Sequence, residues 1–120
     1  MKFIDKEHEN FYNQKIGQVQ VKDRYKQSLI YLLASTNETR QNFEEIYDIR
    51  SNEINIESLK KPWQTGSSIH ICRLAFNLFG DIVSDAPEEK ISYYYTISEI
   101  IKNIDLNCVI EALKIRFVTG

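Results

Sequence analysis

Three polar residues with the means to bind a ligand, His70, Arg73 and Asn77, lie in an otherwise apolar segment. Their spacing of three and four positions places them on one face of a helix, as a polar strip. A buried guanidinium needs an anionic partner, and its planar fork suits a carboxylate or a phosphate. Backbone amides at the helix start, at Gly66 and Ser67, also favour an anion. The strip therefore predicts either an internal ion pair of Arg73 or a site for an anionic small molecule such as a nucleotide.

The loop before this helix carries the only tryptophan of the chain, Trp63. Its indole could stack on a base or pack as an apolar staple against the helix. Thr65 or Ser67 can cap the helix start, and no Gly-Lys-Ser/Thr follows, so the run is not a Walker loop. The candidate ligand-binding residues are Trp63, Gln64, Thr65, Gly66, Ser67, His70, Arg73 and Asn77.

Other catalytic or metal-binding chemistry has little support in the sequence. The two histidines have no partner at metal-ligand spacing, so we expect no metal and no other cofactor. Cys72 and Cys108 lie in apolar helical patterns, which is typical of reduced core thiols. The carboxylate pairs Glu44–Glu45 and Glu88–Glu89 are typical of solvated helix faces rather than of a catalytic dyad. The sequence assigns no catalytic residue.

The three consecutive tyrosines, Tyr93, Tyr94 and Tyr95, are candidates for an interface. On a helix they cannot all face the interior, so at least one is expected at the surface. Tyrosine is favoured where an apolar ring packs and its hydroxyl stays wet. We therefore expect a contact with an unidentified protein partner or a homodimer, unless the tyrosines form core plus an amphipathic edge.

Size and charge narrow the class of protein. The 120 residues predict one domain, 1–120, and 42% hydrophobic content is typical of a globular protein. No apolar run reaches the roughly 20 residues of a membrane span, and the N-terminus is not a signal peptide. We therefore expect a soluble, intracellular protein with no membrane partner.

Nucleic-acid binding is also disfavoured. The net charge is −2, whereas nucleic-acid binders carry a basic excess. The second and third predicted helices resemble a helix-turn-helix in outline. The reading helix would, however, carry four carboxylates that repel phosphate: Glu38, Glu44, Glu45 and Asp48.

The elements that position these residues are predicted to be helical throughout. Apolar periodicity and caps predict helices at about 5–15, 23–33, 38–48, 67–79, 89–103 and 105–117, with a short turn at 55–61. No strand pair is convincing. Residues 67–79 are apolar around most of the circumference, which is typical of a central helix. The fold class is therefore all-α: a compact single-domain bundle of about six to seven short helices around this central one.

Predicted core positions follow from the same periodicity. On the second helix, Tyr25 and Leu29 begin the inward stripe. The inward face of the 89–103 helix comprises Ile91, Tyr94, Ile97, Ile101 and Ile104. The inward face of the 105–117 helix comprises Leu106, Val109, Ile110, Leu113 and Phe117.

Several segments resemble a known group of proteins. They are residues 3–8, 23–33, 63–68 and 73–79, of which Trp-Gln-Thr-Gly at 63–66 and Arg-Leu-Ala-Phe-Asn-Leu-Phe at 73–79 are the most specific. The chain resembles a family of small uncharacterised proteins of Firmicutes and their phages and mobile elements. The resemblance implies a bacterial or phage cytosol and a stand-alone accessory role, and it assigns no functional residue.

Three hypotheses follow for the function. The first is a non-enzymatic interaction protein of bacterial or phage origin, for example an anti-defence inhibitor that acts by protein–protein contact. The second is a protein that binds or sequesters an anionic, nucleotide-like molecule at the Trp63–Ser67 loop and Arg73. The third is an enzyme of unrecognised type, which requires His70 or His8 to meet a carboxylate or thiol in a cleft.

Overall fold

The computed structural model describes residues 1–86 and 90–118. Most of this range is helical, as predicted. The α-helices are α1 (Lys6–Ile16), α2 (Arg24–Leu33), α3 (Asn37–Gln41), α4 (Phe43–Ile46), α5 (Gly66–Gly80), α6 (Ile97–Ile100) and α7 (Leu106–Phe117). Two 3₁₀ turns span Ile56–Lys60 and Tyr93–Tyr95. Two short strands, β1 (Tyr47–Asp48) and β2 (Glu53–Ile54), pair antiparallel with Tyr47 opposite Ile54.

The core lies between α2, α5 and α7. Helix α2 packs against both of the others, and α1 covers its remaining side. Each residue from Leu29 to Ala34 is at most 1% exposed, so this half of α2 is apolar and buried all round. The predicted central helix is confirmed as α5, which begins one residue earlier and ends one residue later than expected. It shares the interior with α2.

Four helix starts lie at the predicted caps. The side chains of Asp5, Asp23, Thr65 and Asp105 each accept a hydrogen bond from the backbone amide three residues later, at 2.8 to 3.2 Å. Each bond satisfies a donor that the first helical turn leaves free. At Thr65 the Ser68 hydroxyl accepts from the Thr65 amide in return, which completes a capping box.

The predicted third helix, 38–48, is wrong in its second half. It breaks at Asn42 into α3 and α4, and Tyr47 then leaves the helix with φ −147° and ψ 130° to begin β1. Asn42 is a poor helix former whose amide donates to the carbonyl of Glu38. Asn52 turns the hairpin with φ 58°, a left-handed conformation that asparagine tolerates. A continuous helix and a helix followed by a strand would both bury Phe43, Ile46 and Tyr47. The apolar periodicity therefore did not reveal the bend.

The predicted sixth helix, 89–103, is replaced by shorter elements. Its expected start at Glu89 lies outside the described residues, and the rest forms a 3₁₀ turn followed by α6. Ile91, Tyr94 and Ile97 are exposed rather than buried. The hydroxyls of Ser92 and Thr96 bind nearby backbone groups and so compete with a continuous helix.

Helix α7 forms at the predicted position but is rotated from the predicted orientation. Cys108, Val109 and Ala112 face the core, where small side chains let α7 approach α2 closely. Of the predicted inward face only Val109 is buried. The others are exposed to solvent by 36% to 62%: Leu106, Ile110, Leu113 and Phe117. Tyr25, expected in the core on α2, is also exposed.

Candidate functional site

The polar strip of α5 faces the chain that follows this helix. Asn77 Nδ2 donates to the carbonyl of Ile82 at 3.0 Å, and Arg73 binds the side chain of Asp85. His70 lies one turn earlier and interacts with the backbone of α6. The strip therefore holds Ile82, Asp85 and α6 against the central helix.

The Arg73 guanidinium makes a two-pronged contact with Asp85. Its Nε atom lies 3.2 Å from one carboxylate oxygen and its Nη2 atom 2.8 Å from the other. The Tyr95 hydroxyl donates a third hydrogen bond to this carboxylate at 2.7 Å. Burial raises the pKa of Asp85, but the hydrogen bonds from Arg73 and Tyr95 outweigh it and hold the pKa below its usual value. Since Arg73 is only 8% exposed, an anionic ligand would have to compete with Asp85 for the same donors.

The same guanidinium supports an exposed aromatic pair. Its central carbon lies 4.5 Å from the centre of the Tyr94 ring, a cation–π contact. The Tyr93 ring meets Tyr94 at 6.1 Å and an angle of 60°. Arg73 therefore binds Asp85 through its edge and supports Tyr94 with its face.

The local sequence explains why the three tyrosines point different ways. The Ser92 amide donates to the carbonyl of Val83 at 2.7 Å, and the Ser92 hydroxyl caps the turn through the Tyr94 amide. In a 3₁₀ turn, consecutive side chains are about 120° apart. Tyr95 is therefore buried against Asp85, while Tyr93 and Tyr94 face outward.

Residues 91–97, which we name the tyrosine segment, present a band of large exposed side chains. The exposed fractions are 75% for Ile91, 66% for Tyr93, 50% for Tyr94 and 72% for Ile97. Two of the three predicted interface tyrosines belong to this band, and Tyr95 anchors it from beneath. The polar strip and the tyrosine run, which the sequence presents as separate features, meet at Arg73.

The loop of Trp63 is held by internal hydrogen bonds. The indole Nε1 donates to Glu45 Oε2 at 2.6 Å. Gln64 accepts from the Ser68 hydroxyl at 2.6 Å and donates to the carbonyl of Ser58 at 3.2 Å. Thr65 forms the capping box. Gly66 and Ser67 are exposed in the first turn of α5. Two of the eight predicted ligand residues thus bind carboxylates, and these are different ones: Glu45 for Trp63 and Asp85 for Arg73.

The histidines contact backbone groups. His8 accepts from the amide of Ile4 and donates to the carbonyl of Tyr31. The Nδ1 atom of His70 is buried and has no hydrogen-bond partner among the residues that the structure describes. Burial lowers the pKa of His70, and the positive charge of Arg73 lowers it further. Both imidazoles are therefore neutral near pH 7.

Comparison with known proteins places the chain in a family. A family model matches residues 1–119. The chain belongs to DUF6075, a family of unknown function. No curated protein and no solved structure matches it. Membership in DUF6075 supports the resemblance to an uncharacterised family and assigns no activity.

The remaining reactive groups of this DUF6075 member are embedded in the core. Cys72 and Cys108 are free buried thiols, and burial raises the pKa of Cys72 to about 12 and that of Cys108 to about 11. A thiol with such a pKa is a poor nucleophile at neutral pH. Across residues 1–86 and 90–118, no group of histidine, cysteine and carboxylate side chains has metal-binding geometry. Within the same range, no helix is long and apolar enough to cross a membrane.

Sequence reasoning missed two carboxylates of the site. Asp85 lies between the predicted helices 67–79 and 89–103, 12 residues from its partner Arg73. Glu45 belongs to a pair that we expected to be a solvated face; it is exposed, yet it binds Trp63. The need of Arg73 for an anion signalled that a partner existed, but no spacing identified it. The Glu88–Glu89 pair lies outside the described residues.

Proposed function

We propose that the protein acts by binding another protein through the tyrosine segment and carries out no catalysis of its own. The observation that carries this proposal is the exposure of four large apolar or aromatic side chains on a turn anchored by a buried ion pair. Exposed aromatic and apolar clusters mark interaction sites more often than isolated exposed residues do. Tyrosine in particular is enriched at protein interfaces.

Preorganisation supports the same proposal. Below the surface, the Arg73–Asp85 pair and the Tyr95 hydroxyl fix the turn, and Ser92 ties its start to Val83. A surface fixed before binding loses less conformational entropy when a partner docks. Placing Arg73, which is 8% exposed, and the Asp85 side chain, which is 32% exposed, under a short turn costs desolvation free energy, which a purely connecting loop has no need to meet.

A narrower form of the proposal is an accessory protein of a bacterium or phage that inhibits a defence protein by direct contact. Its support is the resemblance to a family of Firmicutes and phage proteins, the small size and the net charge of −2. A charged, compact chain of this size can cover a partner's site without any reactive group of its own.

Photo-crosslinking in the cell that encodes the protein tests the proposal. We would place p-benzoylphenylalanine at Tyr93 and, as the control, at exposed Val21 on another part of the surface. We expect a crosslinked partner from position 93 only, and we expect Ile97→Glu to abolish it. The proposal fails if positions 93 and 21 give the same products, or if Ile97→Glu leaves them unchanged.

A thermal-shift panel separates this proposal from capture of an anionic small molecule at the Trp63–Ser67 loop and Arg73. A ligand that binds only the folded state raises Tm by mass action. We expect no nucleotide in the panel to raise Tm. A nucleotide that raises Tm of the wild type but not of Arg73→Lys would favour the small-molecule function instead.

A further inference from the structure

The outer face of α7 is a second large apolar surface among the described residues, and it is separate in sequence from the tyrosine segment. We define it by Leu106, Ile110, Leu113 and Phe117, which follow the four-three-four spacing of a coiled-coil seam. Of the residues through which α7 packs on the core, Cys108 and Ala112 lie on the far side of the helix from the seam, and Val109 borders the seam, three residues after Leu106 and four before Leu113. The helix is therefore apolar on two adjoining faces, of which the fold covers one.

We propose that this outer face pairs with the same face of a second copy, with the two α7 helices antiparallel about a two-fold axis. A two-fold interface has to be complementary to itself. Centring the axis between Ile110 and Leu113 sets each Ile110 against a Leu113 and each Leu106 against a Phe117. Every seam position then meets an apolar residue, and by symmetry both ends of the interface carry the same Leu106–Phe117 contact.

Charge around the seam favours the antiparallel arrangement. Asp105 caps the start of α7, and Lys114 and Arg116 occupy its last turn. Antiparallel pairing brings this basic end alongside Asp105 of the second copy and opposes the two helix dipoles. Lys114 then lies near the uncharged Asn107 of the second copy. In a parallel pair the basic last turns of the two α7 helices would lie side by side, and their like charges would repel each other.

The Phe117 ring is fixed in position by the neighbouring Arg116 side chain. The Arg116 guanidinium lies 3.8 Å from the Tyr25 ring and 4.5 Å from the Phe117 ring, and its Nε donates to the carbonyl of Leu78 at 2.9 Å. The hydrogen bond to α5 fixes the guanidinium, and the guanidinium stacks against Phe117. An aromatic anchor fixed in this way loses little entropy on burial.

The area of the seam sets the expected affinity. The exposed fractions, 36% to 62%, correspond to about 400 Å² of apolar surface, comparable to the largest patch of a typical monomer. Two copies would bury about 800 Å² from these side chains, at the low end for specific complexes. We therefore expect a dissociation constant on the order of 10 to 100 µM.

Sedimentation velocity from about 5 to 500 µM tests the pairing on the full chain. We expect a concentration-dependent shift from monomer to dimer in the wild type. Ile110→Glu and Leu113→Lys each bury an unpaired charge at the centre of the seam and should weaken association about tenfold or more. Ile97→Glu, the same type of change at an exposed isoleucine of the tyrosine segment, should leave it unchanged. Circular dichroism melting checks that each variant is folded.

An equimolar mixture of the two seam variants tests the register. In the antiparallel pair Glu at 110 of one copy faces Lys at 113 of the other, while the second central contact keeps its native residues. We therefore expect the mixture to dimerise within a few-fold of the wild type although each variant alone does not. A wild type that stays monomeric at 500 µM, or seam variants that still dimerise, would overturn the proposal. A mixture that stays monomeric would overturn the antiparallel register.

Discussion

The surroundings of Arg73 and the outer face of α7 use their side chains in opposite ways. Around Arg73, a charged group is almost fully buried and binds one carboxylate and one aromatic ring. On α7, four apolar side chains face water although the helix beneath them is packed into the core. The charged group therefore has its partner within the chain, whereas the apolar groups are only partly covered among the described residues, Phe117 by the Arg116 guanidinium.

This difference shows where the molecule keeps capacity for binding. Polar groups that are already paired contribute little to a new contact, because each bond to a ligand replaces an internal one. Exposed apolar surface gains free energy from any partner that removes it from water. We therefore expect the polar residues that suggested chemistry to stabilise the fold, and the exposed side chains of α7 and the tyrosine segment to be the ones available to partners.

Breaking the ion pair should have the largest effect on stability. Arg73→Leu leaves the Asp85 carboxylate without its cation, and we expect a loss of about 2–4 kcal/mol in the free energy of unfolding, measured in urea. The lower end is expected because the Asp85 side chain is 32% exposed. The double variant Arg73→Leu/Asp85→Leu should lose less than the sum of the single variants.

An exposed ion pair provides the control for that experiment. Lys102 binds Glu99 at 2.6 Å, but its own side chain is 56% exposed. Lys102→Leu should therefore cost clearly less than Arg73→Leu. If Arg73→Leu lowers the free energy of unfolding no more than Lys102→Leu does, the Arg73–Asp85 pair does not anchor the tyrosine segment.

Two neighbouring residues on α7 test the assignment of its faces. Val109→Ala removes buried methyl groups from the core side and should cost about 1.5–2.5 kcal/mol. Ile110→Ala, at a 42% exposed position, should stay within about 0.5 kcal/mol of the wild type. Both losses are to be measured by urea unfolding at low protein concentration, where pairing of α7 helices does not contribute to the free energy of unfolding. Equal losses would mean that α7 is rotated from the orientation described.

His8, like Arg73, is a buried polar residue whose hydrogen-bond partners lie within the chain, and its protonation makes the stability depend on pH. Its Nδ1 accepts from the Ile4 amide at 3.1 Å and its Nε2 donates to the Tyr31 carbonyl at 2.8 Å, so the ring is neutral. Burial lowers the pKa of His8 below its ordinary 6.5, although the Tyr31 hydrogen bond opposes this. Between the two values the unfolded chain binds more protons, so stability falls as pH drops below 6.5 and levels off below the folded-state pKa.

His8→Leu isolates this contribution. Urea unfolding from pH 7.5 to 4.5 should show a weaker dependence on pH in His8→Leu than in the wild type, whatever its stability at pH 7.5. The pKa of His70 is also lowered, so part of the slope remains and His70→Leu should remove it. An identical slope in wild type and His8→Leu would show that protonation of His8 is not linked to folding.

Features that depend on a few neighbouring residues could be predicted from the sequence. The caps at Asp5, Asp23, Thr65 and Asp105 are local, because a short polar side chain satisfies an amide three residues away. The polar strip is also local, since His70, Arg73 and Asn77 share a face by helical geometry alone.

Features that depend on distant contacts could not be predicted. Helix α7 carries two apolar stripes, and only the shape of α2 decides which of them is buried. Asp85 becomes the partner of Arg73 because the chain after α5 folds back, which no spacing encodes. For the tyrosines, the sequence required at least one to be exposed, but the 3₁₀ turn decides that Tyr95 is the buried one.

The smallest expected effect concerns the cation–π contact between the buried Arg73 and the exposed Tyr94. Tyr94→Leu removes the ring above Arg73 and should cost about 0.5–1 kcal/mol in urea unfolding, because the guanidinium is largely desolvated. Tyr93→Leu is the matched control: Tyr93 is more exposed, and its contact is with the Tyr94 ring, so we expect a change below about 0.5 kcal/mol. Both variants should weaken partner crosslinking from position 97, because both remove an aromatic ring from the proposed contact surface. If Tyr94→Leu is as stable as Tyr93→Leu, Arg73 anchors the turn through Asp85 alone, and Tyr94 is free to reorient when a partner binds.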